Sequence, residues 1–237
     1  MSKEMKKGFT SVIMTTYMQN YGQSNMTREA INNITKYTDA EDFELILMSD
    51  NEVVPVRDWE RLTTIHKTMK IDQYVKTKDL GWTGSMNKGA SLACGEFLAF
   101  IQNDIYVWEG WLENLRYYLE KDLGDYVAPD QNPKTREFVK QAQKMTMAEG
   151  MKYGGRDAGL HMLTRKAFDK LGGFDERLSL LADRDLYERM GKLGIRQIDT
   201  SKVLVTHLAG ATNRWRMDVN NDEYQEMMDV DAKILNK

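Results

Sequence analysis

The sequence predicts an α/β domain, a central and mostly parallel sheet covered by helices on both faces. Three observations carry this. Short apolar runs rich in β-formers recur along the chain. Stretches with apolar residues at helical spacing separate them. Two of the runs stop at an aspartate, as strands do when they reach the carboxyl edge of an open sheet, where such sheets bind ligands.

The elements follow in order. Phe9–Thr16 (FTSVIMTT) reads as a buried strand. Asn25 is placed to cap a helix in which Ala30, Ile31 and Ile34 share a face. Phe43–Met48 is a second strand, ending at Ser49-Asp50-Asn51, and Ile71–Val75 is a third. Trp82–Ala93 is rich in small residues and reads as helix. Glu96–Ile101 is a strand ending in Gln102-Asn103-Asp104. Trp108–Glu120 reads as helix and Tyr126–Ala128 as the start of a strand. Asn132–Gly155 breaks the rhythm, being polar and rich in Lys and Met, and reads as a partly helical excursion. Gly159–Thr164 returns to strand, Asp183–Leu193 to helix, and Val203–Thr206 to strand; Asn221–Leu235 is an acidic amphipathic helix. With no internal repeat or linker, one domain is expected over residues 1–237, its core about 9–212 and a helical tail beyond.

Composition narrows the function. The chain has 237 residues, 41% of them hydrophobic, enough for a buried core. No apolar run approaches the roughly 18 residues of a membrane span. The start, MSKEMKKGF, has charge but no apolar leader, and Cys94 is the only cysteine, so a cytoplasmic setting without disulfides or a cysteine-based zinc site is expected. The net charge of −3 argues against nucleic-acid binding driven by global charge.

Four segments, in this order, resemble the family 2 glycosyltransferases of GT-A fold: SVIMTTY with SDN after the second strand, GWTGSMNKGASLACGEFLAFIQNDIYVWEGWLENL, GLHMLTRKAFDKLGGFDERL, and ADRDLYERMGKLG followed by VTHLAGAT. The resemblance implies an αβα sandwich, a nucleotide-sugar donor, a hydroxyl acceptor and, most often, inversion. It also implies a divalent cation, Mn2+ or Mg2+, because breaking the sugar–oxygen bond builds charge on a diphosphate leaving group.

The same resemblance assigns residues. Asp104 sits at the end of the DXD-type motif and is the expected metal ligand; Gln102 holds the first acidic position and offers only a neutral oxygen. His207, after the last strand, is expected to complete the metal site or touch the diphosphate. Asp50 is expected beside a uracil or thymine, accepting the imide N–H. Thr15 and Tyr17 line that pocket, and Asn87 matches a recurrent asparagine of the helix before the fourth strand. Asp183 matches the general base that takes the acceptor's proton, although Ala182 replaces the usual glutamate. Asp183 is also a fair helix cap, and Asp185 is expected to pair with Arg189 at i+4. Asp175, in Gly172-Gly173-Phe174-Asp175, is expected to orient that turn or contact the acceptor, as is Arg156. Trp108 and Trp111 are expected in the core, and Trp215 near the donor. His66 reads as part of a solvated helix, and His161 as facing the site or packing.

Competing functions share parts of this pattern. A nucleotidyltransferase would need a glycine-rich phosphate loop after the first strand, which TTYMQNYGQS is not. A glycoside hydrolase needs one bond-flanking carboxylate pair, which cannot be picked out here. A sugar- or nucleotide-binding module without catalysis fits the incomplete DXD motif. Between Asn132 and Lys166 eight basic residues face three acidic ones. An anionic acceptor, such as a phosphorylated glycan, a lipid-linked diphosphate or modified DNA, would explain that charge; so would a solvated lid helix.

Overall fold

The computed structural model describes residues 4–53, 69–131, 136–154, 159–208 and 211–236, with side chains outside 136–139 and 211–220. The strands are β1 (Lys6–Thr16), β2 (Phe43–Asp50), β3 (Gln73–Thr77), β4 (Gly95–Gln102), β5 (Ile105–Val107), β6 (Tyr126–Gln131), β7 (Met151–Tyr153), β8 (Leu160–Thr164) and β9 (Gln197–His207). The helices are α1 (Tyr21–Lys36), α2 (Gly81–Leu92), α3 (Trp111–Glu120), α4 (Arg136–Lys144), α5 (Met147–Gly150), α6 (Arg165–Leu171), α7 (Ala182–Lys192) and α8 (Ala211–Leu235).

These strands form one sheet in the order β3-β2-β1-β4-β8-β6-β9-β5, with β7 on β9. β1 runs parallel to β2 and β4, and β2 to β3; β6 runs parallel to β9. β8 is antiparallel to both β4 and β6, and β5 and β7 are antiparallel to β9. The expected mostly parallel α/β sheet is therefore present, with β8 reversed at its centre.

Alternation along β1 explains the layers. Val12 and Met14 pack with Ala30, Ile31 and Ile34 of α1 and Leu112, Leu115 and Tyr118 of α3. Ile13 faces the other way, into Met86 and Ala90 of α2, Phe168 of α6, and Leu186 and Met190 of α7. A strand covered on both faces is apolar through its middle, here Val12–Met14, which makes FTSVIMTT legible.

Several boundaries differ from the sequence expectation. Asn20, not Asn25, caps α1: its side chain accepts from Gln23 N, and Asn25 lies a turn inside the helix. β9 begins at Gln197, six residues early. Its first half lacks an apolar run because burial alternates there: Ile198 and Thr200 are buried while Asp199 between them is half-buried. Trp108 is 44% exposed rather than in the core, whereas Trp111 is buried and donates its indole N–H to Thr38 Oγ1 at 2.8 Å. His66 and Arg156 lie outside the described residues, and the Trp215 side chain outside the described side chains.

Candidate active site

Strand register gathers the first group of predicted residues. β1 pairs Thr16 with Ser49 on β2 and Thr15 with Gln102 on β4. Tyr17, Asp50 and Asp104 therefore emerge from three adjacent strand ends at one carboxyl edge. Asp50 and Asp104 flank β1 on opposite sides, two strand spacings or about 10 Å apart.

Asp104 is buried (3% exposed), and the chain reverses immediately after it into β5. β5 pairs antiparallel with β9 so that Ile105 lies opposite His207, and Leu208 N donates to Asp104 O at 3.0 Å. This hairpin-like pairing brings Asp104 Oδ1 to 3.4 Å from His207 Nε2. The separation exceeds the about 2.7–3.2 Å of a direct N–H···O bond. On the other ring edge, His207 Nδ1 and Gln131 Oε1 are 2.8 Å apart. With Nδ1 as the donor of that bond, the Nε2 lone pair is turned toward Asp104. Gly159 packs against the same ring: a Cβ there would lie 3.3 Å from His207 Cε1 and 2.7 Å from Ile105 Cδ1. Asn103, the middle residue of Gln102-Asn103-Asp104, turns inward and donates to Thr16 Oγ1 and Thr27 Oγ1 at 3.2 and 2.8 Å. That anchor fixes the bend that aims Asp104 at His207.

A carboxylate oxygen and an oriented imidazole lone pair fit a divalent cation of the Mn2+ or Mg2+ kind. No group of three or more His, Cys, Asp or Glu with metal-site geometry exists among the described residues. Two such side chains would supply only part of a cation's shell, and substrate oxygens and water would supply the rest, the usual arrangement for phosphate-bound cations.

Asp50 is buried and already engaged. Thr77 Oγ1 donates to its Oδ1 at 2.9 Å, Leu80 N at 3.3 Å, and Gly81 N to Oδ2 at 2.9 Å. It thus accepts the N–H groups that open α2, whose own N-cap residue, Leu80, has no side-chain bond. Asn51 takes φ 47°, a left-handed turn that asparagine tolerates, and exchanges two bonds with Asp79. A cleft of about 360 Å³ opens beside this corner, lined by Ser49, Asn51, Glu52, Lys76, Thr77 and Lys78.

The other predicted residues fall in a second region. Asn87 lies midway along α2. Its Oδ1 accepts from Phe174 N, and its Nδ2 donates to Phe174 O and Glu176 Oε1, all at 2.9 Å. Its amide is engaged by the turn at Phe174 and by Glu176. Gly173 must be glycine there twice over: φ is +79°, and a Cβ would stand 2.7 Å from Asn87 Oδ1. Asp175 binds Arg177, accepting from its N–H and its guanidinium, and this partner holds the carboxyl below its ordinary range. Asp175 therefore orients the turn.

Asp183 is half-buried in the first turn of α7, but is not its cap: that position is Leu181. Nearby, Tyr126 OH and Tyr187 OH are 3.0 Å apart. Burial raises the Tyr126 phenol far above its ordinary value; Tyr187 and the charges of Asp183 and Asp199 push it further. His161 is buried and stacks on Tyr126 at 5.5 Å, so it packs beneath this cluster. Asp185 pairs with Arg189 as expected, Nε to Oδ2 2.7 Å, and Arg189 also donates to the carbonyls of Leu171 and Gly173.

Two contributors were not found by sequence reasoning. Arg165 donates to the carbonyls of Gly95, Ala90 and Ala93 at 3.0–3.2 Å, closing the C-terminal end of α2. Asp231 of α8 accepts the backbone N–H groups of Ser179, Leu180 and Leu181. Neither has a local sequence signal, because each partner is tens of residues away.

The glycosyl transferase family 2 model matches residues 11–174, so this chain belongs to that family. Solved structures agree on the fold. A crystal structure of GalNAc-T7 with UDP, GalNAc and Mn2+ superposes with TM-score 0.68 at 14% identity, over 84% of this chain and 43% of that one. The mannosyltransferase PcManGT from Pyrobaculum calidifontis, in complex with GDP-Man and Mn2+, superposes with TM-score 0.67 at 18% identity, over 90% and 61%. This chain spans less than two thirds of either protein, and what they share with it is the GT-A architecture. No curated protein sequence matches the chain. Among the described residues no helix is long and apolar enough to cross a membrane.

Proposed function

We propose that the protein transfers a sugar, with inversion, from a nucleoside diphosphate sugar to a hydroxyl acceptor. The observation that carries this reading is the Asp104–His207 pair, 3.4 Å apart, at the carboxyl edge of a family 2 sheet. The neighbours' complexes with UDP or GDP-Man and Mn2+ support the donor class and the cation. Asp104 and His207 would hold Mn2+ or Mg2+, which when bound neutralises the charge that develops on the leaving diphosphate. Thr15, Tyr17 and Asp50 line the nucleotide end. Asp50 keeps acceptor capacity for a uracil imide beyond its three donors, which favours UDP or dTDP.

Asp183 is the general base. Its carboxylate takes the proton of the acceptor hydroxyl as that oxygen attacks the anomeric carbon from the face opposite the diphosphate. The C–O bond to the phosphate breaks, and its electron pair leaves on the diphosphate oxygen. No covalent intermediate on the enzyme is required.

The excursion between β6 and β8 fits the acceptor side. It departs from Gln131, the partner of His207, and exposes Lys140, Lys144 and Lys152. Arg165 drops out of the charge argument, since its guanidinium is used inside the fold. An anionic acceptor remains the reading that the exposed lysines favour. A thermal-shift screen of UDP, dTDP and GDP sugars with and without Mn2+ tests the donor class. A ligand at 100 times its Kd adds about 2.7 kcal/mol of stability. Metal-dependent stabilisation by a UDP or dTDP sugar is expected; none by any donor would overturn the donor class, whereas stabilisation without donor hydrolysis would leave a binding module without catalysis.

A further inference from the structure

α8 is long, and its described side chains, from residue 221 on, are mostly solvated. Between residues 221 and 236 only Asp231 is buried, at 1% exposure, while its neighbour Val230 is 44% exposed. A helix held merely by apolar packing would bury Val230 and leave the aspartate in water. Here the reverse holds. The Asp231 carboxylate accepts from Ser179 N at 2.9 Å, Leu180 N at 2.6 Å and Leu181 N at 2.8 Å. Three successive N–H groups form an anion-binding nest, and they stand directly ahead of α7, at its positive end. Burying a carboxylate is costly unless such donors satisfy it, so this contact fixes both partners.

Those three residues lead into Asp183, two positions after Leu181. The same segment is held elsewhere by Thr83 of α2, which donates to Leu178 O at 3.0 Å, and by Asn87 on Phe174. We infer that Asp231 is a positioning residue for Asp183: α8 supplies the carboxylate that sets the start of α7, and with it the direction of the base. This inference rests on the reading of Asp183 as general base. Loss of the nest would let the α7 entry shift, and a displacement of about 1 Å at a reacting group can cost on the order of 100-fold in rate. Donor binding would be spared, because Asp104, His207 and Asp50 are held by strand ends.

The experiment combines Asp231→Ala, Asp231→Asn and Asp183→Asn. The full chain is assayed for UDP release with Mn2+ on the UDP-hexose it turns over fastest. UDP affinity is measured by calorimetry, and amide exchange at Ser179–Leu181 by mass spectrometry. Asp231→Ala should lower kcat about 10- to 100-fold with UDP affinity within about twofold. Asp231→Asn, which keeps an acceptor oxygen, should fall between it and the parent. Exchange should quicken at Ser179–Leu181 in both. In the Asp183→Asn background, Asp231→Ala should cost no further turnover, because the residue it positions is gone. Unchanged kcat, a parallel loss of UDP affinity, or multiplication of the Asp183→Asn loss would each overturn the inference. An Asp183→Asn variant with normal turnover would instead remove the base itself, and the positioning role with it. Should Asp231→Ala fail to fold, Asp231→Asn carries the same comparison, and normal kcat with slow exchange there overturns it.

Discussion

The carboxyl edge at Asp50 and Asp104 and the segment that carries Asp183 are built on different terms. At the edge, Asp50 and Asp104 follow directly from β2 and β4, and the strand ladder fixes their spacing. The segment 172–183 has no ladder. Side chains from elsewhere hold it: Asn87 and Thr83 from α2, Arg189 from α7, and Asp231 from α8. A site half made of strand ends can keep its donor end rigid while the acceptor end depends on a few polar clamps. Damage to a clamp should therefore alter turnover or stability without moving nucleotide affinity.

The largest effect that would sharpen this contrast is at the base. Asp183→Asn should reduce kcat by about 100- to 10,000-fold, the usual contribution of a positioned base, with donor affinity unchanged. Steady-state kinetics beside UDP calorimetry decides it; equal losses in both would make Asp183 part of the donor site and erase the distinction. Next comes Asn87→Ala, which leaves Phe174 N and O without their partner. A loss of about 1–3 kcal/mol in urea unfolding is expected, with UDP affinity unaltered. Weakened UDP binding at full stability would return Asn87 to the nucleotide.

Asp50→Ala probes the edge. It should weaken UDP binding by about 1–3 kcal/mol, the scale of a hydrogen bond to a charged acceptor. It should also destabilise the fold, since Gly81 N and Thr77 lose their acceptor. Lost stability with intact UDP affinity would restrict Asp50 to capping α2.

A smaller effect is expected outside both regions. Asp125 is held below its ordinary value of 3.8, chiefly by its bond to Arg196. A carboxyl lowered on folding stabilises the protein above its unfolded pKa, and that contribution disappears as pH falls through the folded value. Arg196→Gln should therefore cost at most about 1 kcal/mol at neutral pH and reduce the acid sensitivity below about pH 4, because the pair is partly exposed. Acid unfolding curves that keep their full steepness would assign the acid sensitivity to other carboxylates.

The same division explains what was legible in the sequence. β1, β2 and β4 announced themselves because strands covered on both faces are apolar through their middles, and their polar ends led to Asp50 and Asp104. The resemblance of VTHLAGAT to the family's segment after the last strand pointed to His207. The clamps were opaque: Asn87 reads equally as a ligand residue or a structural amide, and only the fold places Phe174 beside it. Asp231 looks like any acidic residue on a solvated helix until the backbone of Ser179–Leu181 lies beside it. Arg165 was counted as acceptor-facing charge because sequence distance hides the α2 carbonyls it closes. The cap at Asn20 was missed for a local reason, since Asn20 and Asn25 are both good caps and the choice depends on where β1 ends.

The central claim is that Asp104 and His207 hold the cation that makes the diphosphate a leaving group. UDP calorimetry and turnover, each with Mn2+ and with chelator, on the parent and on Asp104→Asn, test it most directly. The parent should bind UDP more tightly and turn over only with Mn2+. Asp104→Asn should stay folded, lose that metal dependence of binding, and fall by about 100- to 1,000-fold in kcat. Near-normal turnover of Asp104→Asn, or of the parent in chelator, would contradict it.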